Sequence, residues 1–118
     1  MATNYAKGRR QEWNLKKALE ADGWTVIRAA GSKGPYDLVA FPRSDFGNQR
    51  VIALQVKATN DPGAAKRLLI DFPVVFREAF ETQLWVRCNR VWFTKYWDPS
   101  KGESTVRTIN VKKDLDKA

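Results

Sequence analysis

Apolar and polar positions alternate along this chain in two different rhythms. In GRRQEWNLKKALEADG, residues 8–23, Leu15, Ala18 and Leu19 recur at helical spacing, and Gly23 stands where a C-terminal cap belongs. That pattern predicts an amphipathic helix. Shorter apolar runs follow: WTVIRAA (24–30), YDLVAF (36–41) and RVIALQVKAT (50–59). Each reads as a strand, set off by the turn-rich segments GSKGP (31–35) and PRSDFGNQ (42–49). TNDPGAAKR (59–67) reads as a polar, mobile loop. DFPVVFREAFE (71–81) predicts a second helix, capped by Asp71, with Pro73 in its first turn and Val75, Phe76, Ala79 and Phe80 at apolar spacing. LWVRC and VWFTKYW predict a hairpin across Asn89 and Arg90, and STVRTINVKKDLDKA a last short strand with a charged end. The expectation is one α/β domain over residues 1–118, a central mixed β-sheet flanked by helices.

Four polar residues do not fit this packing pattern. Glu12 is three residues before Leu15, so it extends the helix's apolar stripe by one turn with a carboxylate. Asp37 opens the apolar strand that ends at Phe41. Gln55 and Lys57 are two apart in the third strand and therefore share a face. If the second and third strands pair around residues 42–50, residue 37 falls opposite residue 55, and Asp37 is an available partner for a buried Lys57. Each has a bland explanation: the helix dipole for Glu12, turn chemistry for Asp37, a structural ion pair for Lys57. The set of four is harder to explain that way.

Composition narrows the chemistry. The chain has 118 residues, 21 Lys and Arg against 13 Asp and Glu, and a net charge of +8. Such an excess on a small domain marks a polyanion binder, most commonly of nucleic acid. There is no histidine and a single cysteine, Cys88. A histidine base, a Ser–His–Asp triad, a disulfide framework and a Cys/His zinc site are excluded, so any metal is a hard cation held by oxygens. No apolar run approaches the length of a membrane helix and the N-terminus has no signal-peptide character. A cytoplasmic protein is expected, in a host cytoplasm if the gene is viral.

Glu12, then Asp37 after a Gly-rich loop, then Gln55-x-Lys57 resembles the PD-(D/E)xK nuclease pattern. The stretch GRRQEWNLKKALEADGWTVIRAAGSKGPYDLVAF is similar to the start of the archaeal-type Holliday junction resolvases, the Hjc family. The likeness lies in the basic residues before a helical Glu, the GW-x-V-x-R strand, the GS loop and the D-L-V-A strand, and covers residues 8–58. Beyond that only the layout matches. The resemblance implies a restriction-endonuclease-like fold and a metal-dependent DNA endonuclease making paired nicks in four-way junctions, with 5′-phosphate products.

By that resemblance Glu12 helps hold the metal or its water, Ser32 lies near the scissile phosphate, and Asp37 is the main metal ligand. Gln55 and the Val56 carbonyl complete the shell, and Lys57 is the catalytic lysine. Arg9, Arg10, Lys16, Lys17, Arg28 and Lys33 are expected along DNA phosphates, joined by Lys66 and Arg67 from a loop that orders on DNA. The cofactor implied is Mg²⁺, with Mn²⁺ as substitute, and no small-molecule cofactor. The partners implied are DNA and a second copy of the chain, since two cuts in a two-fold substrate suit a homodimer. Trp85, Trp92, Phe93, Tyr96 and Trp97 are candidates for the dimer face or the core. There are two departures from the family: Tyr36 separates Pro35 from Asp37, and Gln55 stands where a second acid is usual. A less selective nicking endonuclease, or a DNA-binding module with a degenerate metal site, are the competing readings, and a purely structural basic protein is the third.

Overall fold

The first helix forms as the spacing predicts. In the computed structural model, which describes residues 4–29, 35–42 and 50–109 and their side chains from residue 9 onward, α1 spans Asn4–Ala21. It ends at Gly23, whose φ of 98° is in the left-handed region that only glycine enters freely. Leu15 is fully buried and Leu19 nearly so. Truncating Leu15 to Ala would cost about 2–5 kcal/mol.

The strands are β1 (Thr25–Arg28), β2 (Leu38–Phe41), β3 (Val51–Thr59), β4 (Phe80–Cys88), β5 (Val91–Asp98) and β6 (Glu103–Ile109). They form one sheet in chain order. Every neighbouring pair is antiparallel except β3 and β4, which are parallel. The fold is therefore α/β with a mixed sheet, consistent with a nuclease-like architecture. A parallel pair requires a crossover, and the crossover carries the second helix, α2 (Pro62–Asp71).

That helix is not where the apolar spacing placed it. Residues 62–67 are helical rather than a mobile loop, and residues 72–79 are not helical. Two Asp/Pro signals compete here. Asp61 immediately precedes Pro62, and its carboxylate accepts the Gly63 amide at 2.9 Å, which starts the helix. At the second signal Phe72 precedes Pro73, and the proline ring drives Phe72 out of the helical region, to φ −71° and ψ 122°. The helix stops there. Lys95 seals its end by donating to the carbonyls of Ile70 and Phe72 at 3.1 and 2.8 Å. The segment that follows is tied to β4 instead: the Val75 amide donates to Thr82 Oγ1, and Phe76 pairs with Glu81.

The β4–β5 turn confirms its reading. Asn89 and Arg90 both have positive φ, 50° and 70°, as a two-residue hairpin turn of the right twist requires.

Alternation in the strands divides the core in two. Leu38, Ala40, Leu54, Val56, Trp85 and Trp92 join Leu15 and Leu19 beneath α1. Leu84, Val86 and Cys88 join Ala65, Leu69 and Phe72 beneath α2. Of the five aromatics singled out in the sequence, Trp85 and Trp92 are core residues in edge-to-face contact, Phe93 packs against the second cluster, and Trp97 stacks on Phe76. Among the described residues no helix is long and apolar enough to cross a membrane.

Candidate active site

The β2–β3 register delivers the pairing that the pattern implied. The ladder ends at Leu38↔Leu54, and Asp37 lies one residue beyond it. Its amide donates to the Leu54 carbonyl at 2.8 Å, and its carboxylate Oδ2 accepts the Val56 amide at 2.8 Å. A side-chain oxygen thus takes the slot where a strand carbonyl would sit. The two bonds bracket Gln55 and hold the Asp37 carboxylate against the middle of β3.

Gln55 and Lys57 share the other face from Leu54 and Val56. Their β4 partners are Leu84 and Val86, both in the cluster beneath α2. Gln55 is half-buried and Lys57 is exposed. The expectation of a buried lysine needing Asp37 as partner is corrected: one Asp37 oxygen is committed to the β3 backbone, and among the described residues no ion pair joins it to Lys57. β3 is buried at its centre and opens towards Thr59, so the ammonium reaches water at no desolvation cost.

Glu12 comes to this place from α1. Its carboxylate accepts Arg28 Nε at 3.3 Å, with the Glu12 side chain 17% and Arg28 34% exposed. Burial, and then the negative charge of Asp37, push the Glu12 carboxyl above its ordinary range, while Arg28 pulls it back. Two carboxylates are therefore held close enough to repel. Arg28, also expected along DNA phosphates, is 34% exposed beside this pair.

Around Glu12 lies a hollow of about 290 Å³, lined by Arg9, Arg10, Glu12, Trp13, Lys16 and Arg28. Arg9 and Arg10 are exposed on the helix surface, as is Lys17, and Lys16 pairs with Glu20 at 2.9 Å. Lys66 and Arg67 are exposed on α2, not on a loop awaiting DNA. Ser32 and Lys33 lie outside the described residues.

The oxygen donors nearest Asp37 are the Glu12 carboxylate, which feels its charge, and, by strand register, the amide of Gln55. Among the described residues no group of three or more His, Cys, Asp or Glu side chains converges. An all-oxygen set with few protein ligands suits Mg²⁺, which keeps most of its shell as water and substrate oxygens. The repulsion between Glu12 and Asp37 is what a cation between them would relieve.

Sequence reasoning missed Trp13. It is 54% exposed and lines the hollow beside Glu12. The signal was available: a large apolar residue off the helix's apolar stripe.

The sequence model of the family described as archaeal Holliday junction resolvase (hjc) matches residues 3–113. The match runs far beyond residue 58, where the likeness of individual motifs ends, and takes in α2 and the β4–β6 strands. No curated protein and no solved structure gives a significant match.

Proposed function

We propose, from the premise that this chain belongs to the archaeal Holliday junction resolvase (hjc) family, that it is a divalent-metal-dependent endonuclease making paired nicks in four-way DNA junctions. The observation that carries this reading is the Asp37 carboxylate fixed to the Val56 amide beside Gln55, with Glu12 near enough to feel its charge.

Asp37, Gln55 Oε1, the Val56 carbonyl and Glu12 are the residues that would hold Mg²⁺ or Mn²⁺. When bound, the cation would neutralise charge on the scissile phosphate and make water a competent nucleophile near neutral pH. The chain's own residues do the rest. The Val56 amide orients Asp37, so the carboxylate needs no reorganisation when substrate arrives. Lys57, exposed on the same face as Gln55, holds the attacking water and offsets charge on the phosphate. Arg28 offsets part of the cost of burying the Glu12 carboxylate. Arg9, Arg10, Lys16 and Lys17 follow the phosphate backbone, so binding weakens steeply with salt. The expected products are 5′-phosphate and 3′-hydroxyl ends.

The same reading has a second copy of the chain dock on an apolar face. An apolar groove of about 650 Å³ runs between α2 and the β5–β6 strands, walled by Leu69, Val91, Phe93 and Val106. Ile70, 64% exposed, protrudes at its rim. A knob and a hole on one patch are self-complementary across a two-fold axis. A dimer presents two sites to a two-fold substrate.

The test is cleavage of a synthetic mobile four-way junction with Mg²⁺, both nicks mapped, beside linear duplex, flap and single strand. Equal cleavage of junction and duplex would favour the less selective nicking enzyme. Tight junction binding with no cleavage in Mg²⁺ or Mn²⁺, by the natural chain or Gln55→Glu, would favour the DNA-binding module.

A further inference from the structure

The hollow beside Glu12 contains one residue to which the proposed function gives no role, Trp13. On an α-helix the surface neighbours of residue 13 are residues 9, 10, 16 and 17. Here all four are cations: Arg9, Arg10, Lys16 and Lys17. Trp13 stands at the centre of that cross, 54% exposed. The Lys17 and Lys16 ammonium groups lie 5.0 and 5.7 Å from its ring centroid. The indole is not core: among the described side chains of α1 the buried ones are Leu15 and Leu19. Exposing this much indole in water is unfavourable, and the cations around it crowd positive charge that the Lys16–Glu20 pair offsets only in part. Both costs vanish against a ligand that offers phosphates to the cations and a flat aromatic face to the ring.

We propose that Trp13 stacks on a nucleobase unpaired or unstacked at the branch point of the junction, and so selects branched DNA over continuous duplex. This rests on the reading of the chain as a junction endonuclease. In continuous duplex the base faces are covered by their neighbours, and only phosphates meet the hollow. At a branch the stack is interrupted, and a base face is open to the ring. The two lysines exchange the indole for phosphates as the base arrives. Their flexible stems permit this, whereas the ring needs only two torsions fixed. Trp13 is adjacent to Glu12 in the chain, so a base held there places the branch beside the candidate metal ligands. Stacking on an aromatic side chain tolerates any base, so the selection is for shape and not for sequence.

The test measures binding in Ca²⁺, without turnover, for Trp13→Ala and Trp13→Phe on a four-way junction and on linear duplex of the same sequence. The expected result is a loss of junction affinity of about tenfold in Trp13→Ala, a duplex affinity within about twofold of the natural chain, and most of the loss restored in Trp13→Phe. A 2-aminopurine at the branch should change its fluorescence on binding of the natural chain and Trp13→Phe, and not of Trp13→Ala. Equal losses on junction and duplex would overturn the proposal, leaving Trp13 as a support for its lysines. So would no loss on either. Failure of the underlying reading looks different: the natural chain itself would show no junction preference, or no metal-dependent cleavage.

Discussion

The hollow beside α1 and the groove beside α2 are built by the same fold and are chemical opposites. The hollow is lined almost entirely by charged side chains around one exposed indole. The groove is almost wholly apolar, and of its two lysines, Lys66 and Lys95, the second is already spent on the end of α2. Each helix packs one face on the sheet; they differ in what the other face is left to do. A charged hollow gains little from a protein partner that must be desolvated to enter it, but much from phosphate. An apolar groove has the reverse preference. On the function proposed above, the phosphate-binding hollow and the partner groove lie beside different helices, so each can be broken without the other.

The largest effect expected is at the metal end. Asp37→Asn keeps an acceptor for the Val56 amide but removes the charge. Cleavage should fall by about 10³-fold or more while junction binding and thermal stability stay near those of the natural chain. Undiminished cleavage would remove Asp37 from the site.

Next is the groove. Ile70→Asp puts a charge on the protruding knob, and should turn a dimer into a monomer by light scattering at micromolar concentration, with about a tenfold or greater loss of paired cutting. If the natural chain is already a monomer, the groove is not a dimer face, and the comparison loses its second half.

A smaller effect tests the unusual amide. Gln55→Glu restores a second acid beside Asp37, and should lower the Mg²⁺ concentration for half-maximal cleavage by about tenfold. An unchanged metal titration would place Gln55 outside the shell.

The smallest effect concerns Glu12. Its carboxyl is raised above the ordinary value by burial first and by Asp37 second. A raised carboxyl favours the native state only while protonated. That contribution is full below the unfolded value near 4.5 and is lost as pH rises through the folded value. Glu12→Gln should therefore raise the melting temperature slightly at neutral pH and leave it unchanged at acid pH, while lowering cleavage. A lower melting temperature at neutral pH would mean that the Arg28 pair outweighs the burial.

How much of this was legible depended on whether a signal was local. The stripe of Leu15 and Leu19, Gly23, the Asn89–Arg90 turn and the alternation of β3 are each set by neighbours in sequence, and the structure keeps them. The second helix was misplaced because two Asp/Pro signals lie ten residues apart and apolar spacing fits both windows. The ring of Pro73 acting on Phe72, and the pairing of residues 75–76 with β4, decided between them. The pairing of residue 37 with residue 55 could be read because a hairpin register follows from the strands' own pattern.

Sequence alone determined the chemistry available: oxygen ligands without histidine, an excess of cations, and the four polar residues that packing does not explain. These follow from side-chain identity and short-range period. Tertiary structure decided what those residues touch. It set Arg28 against Glu12 and fixed Asp37 to a backbone amide. It left Lys57 in water and set Trp13 on the rim of the hollow. Those outcomes depend on which elements meet in space, and residues 12, 28, 37 and 56 meet only once the sheet has closed against α1.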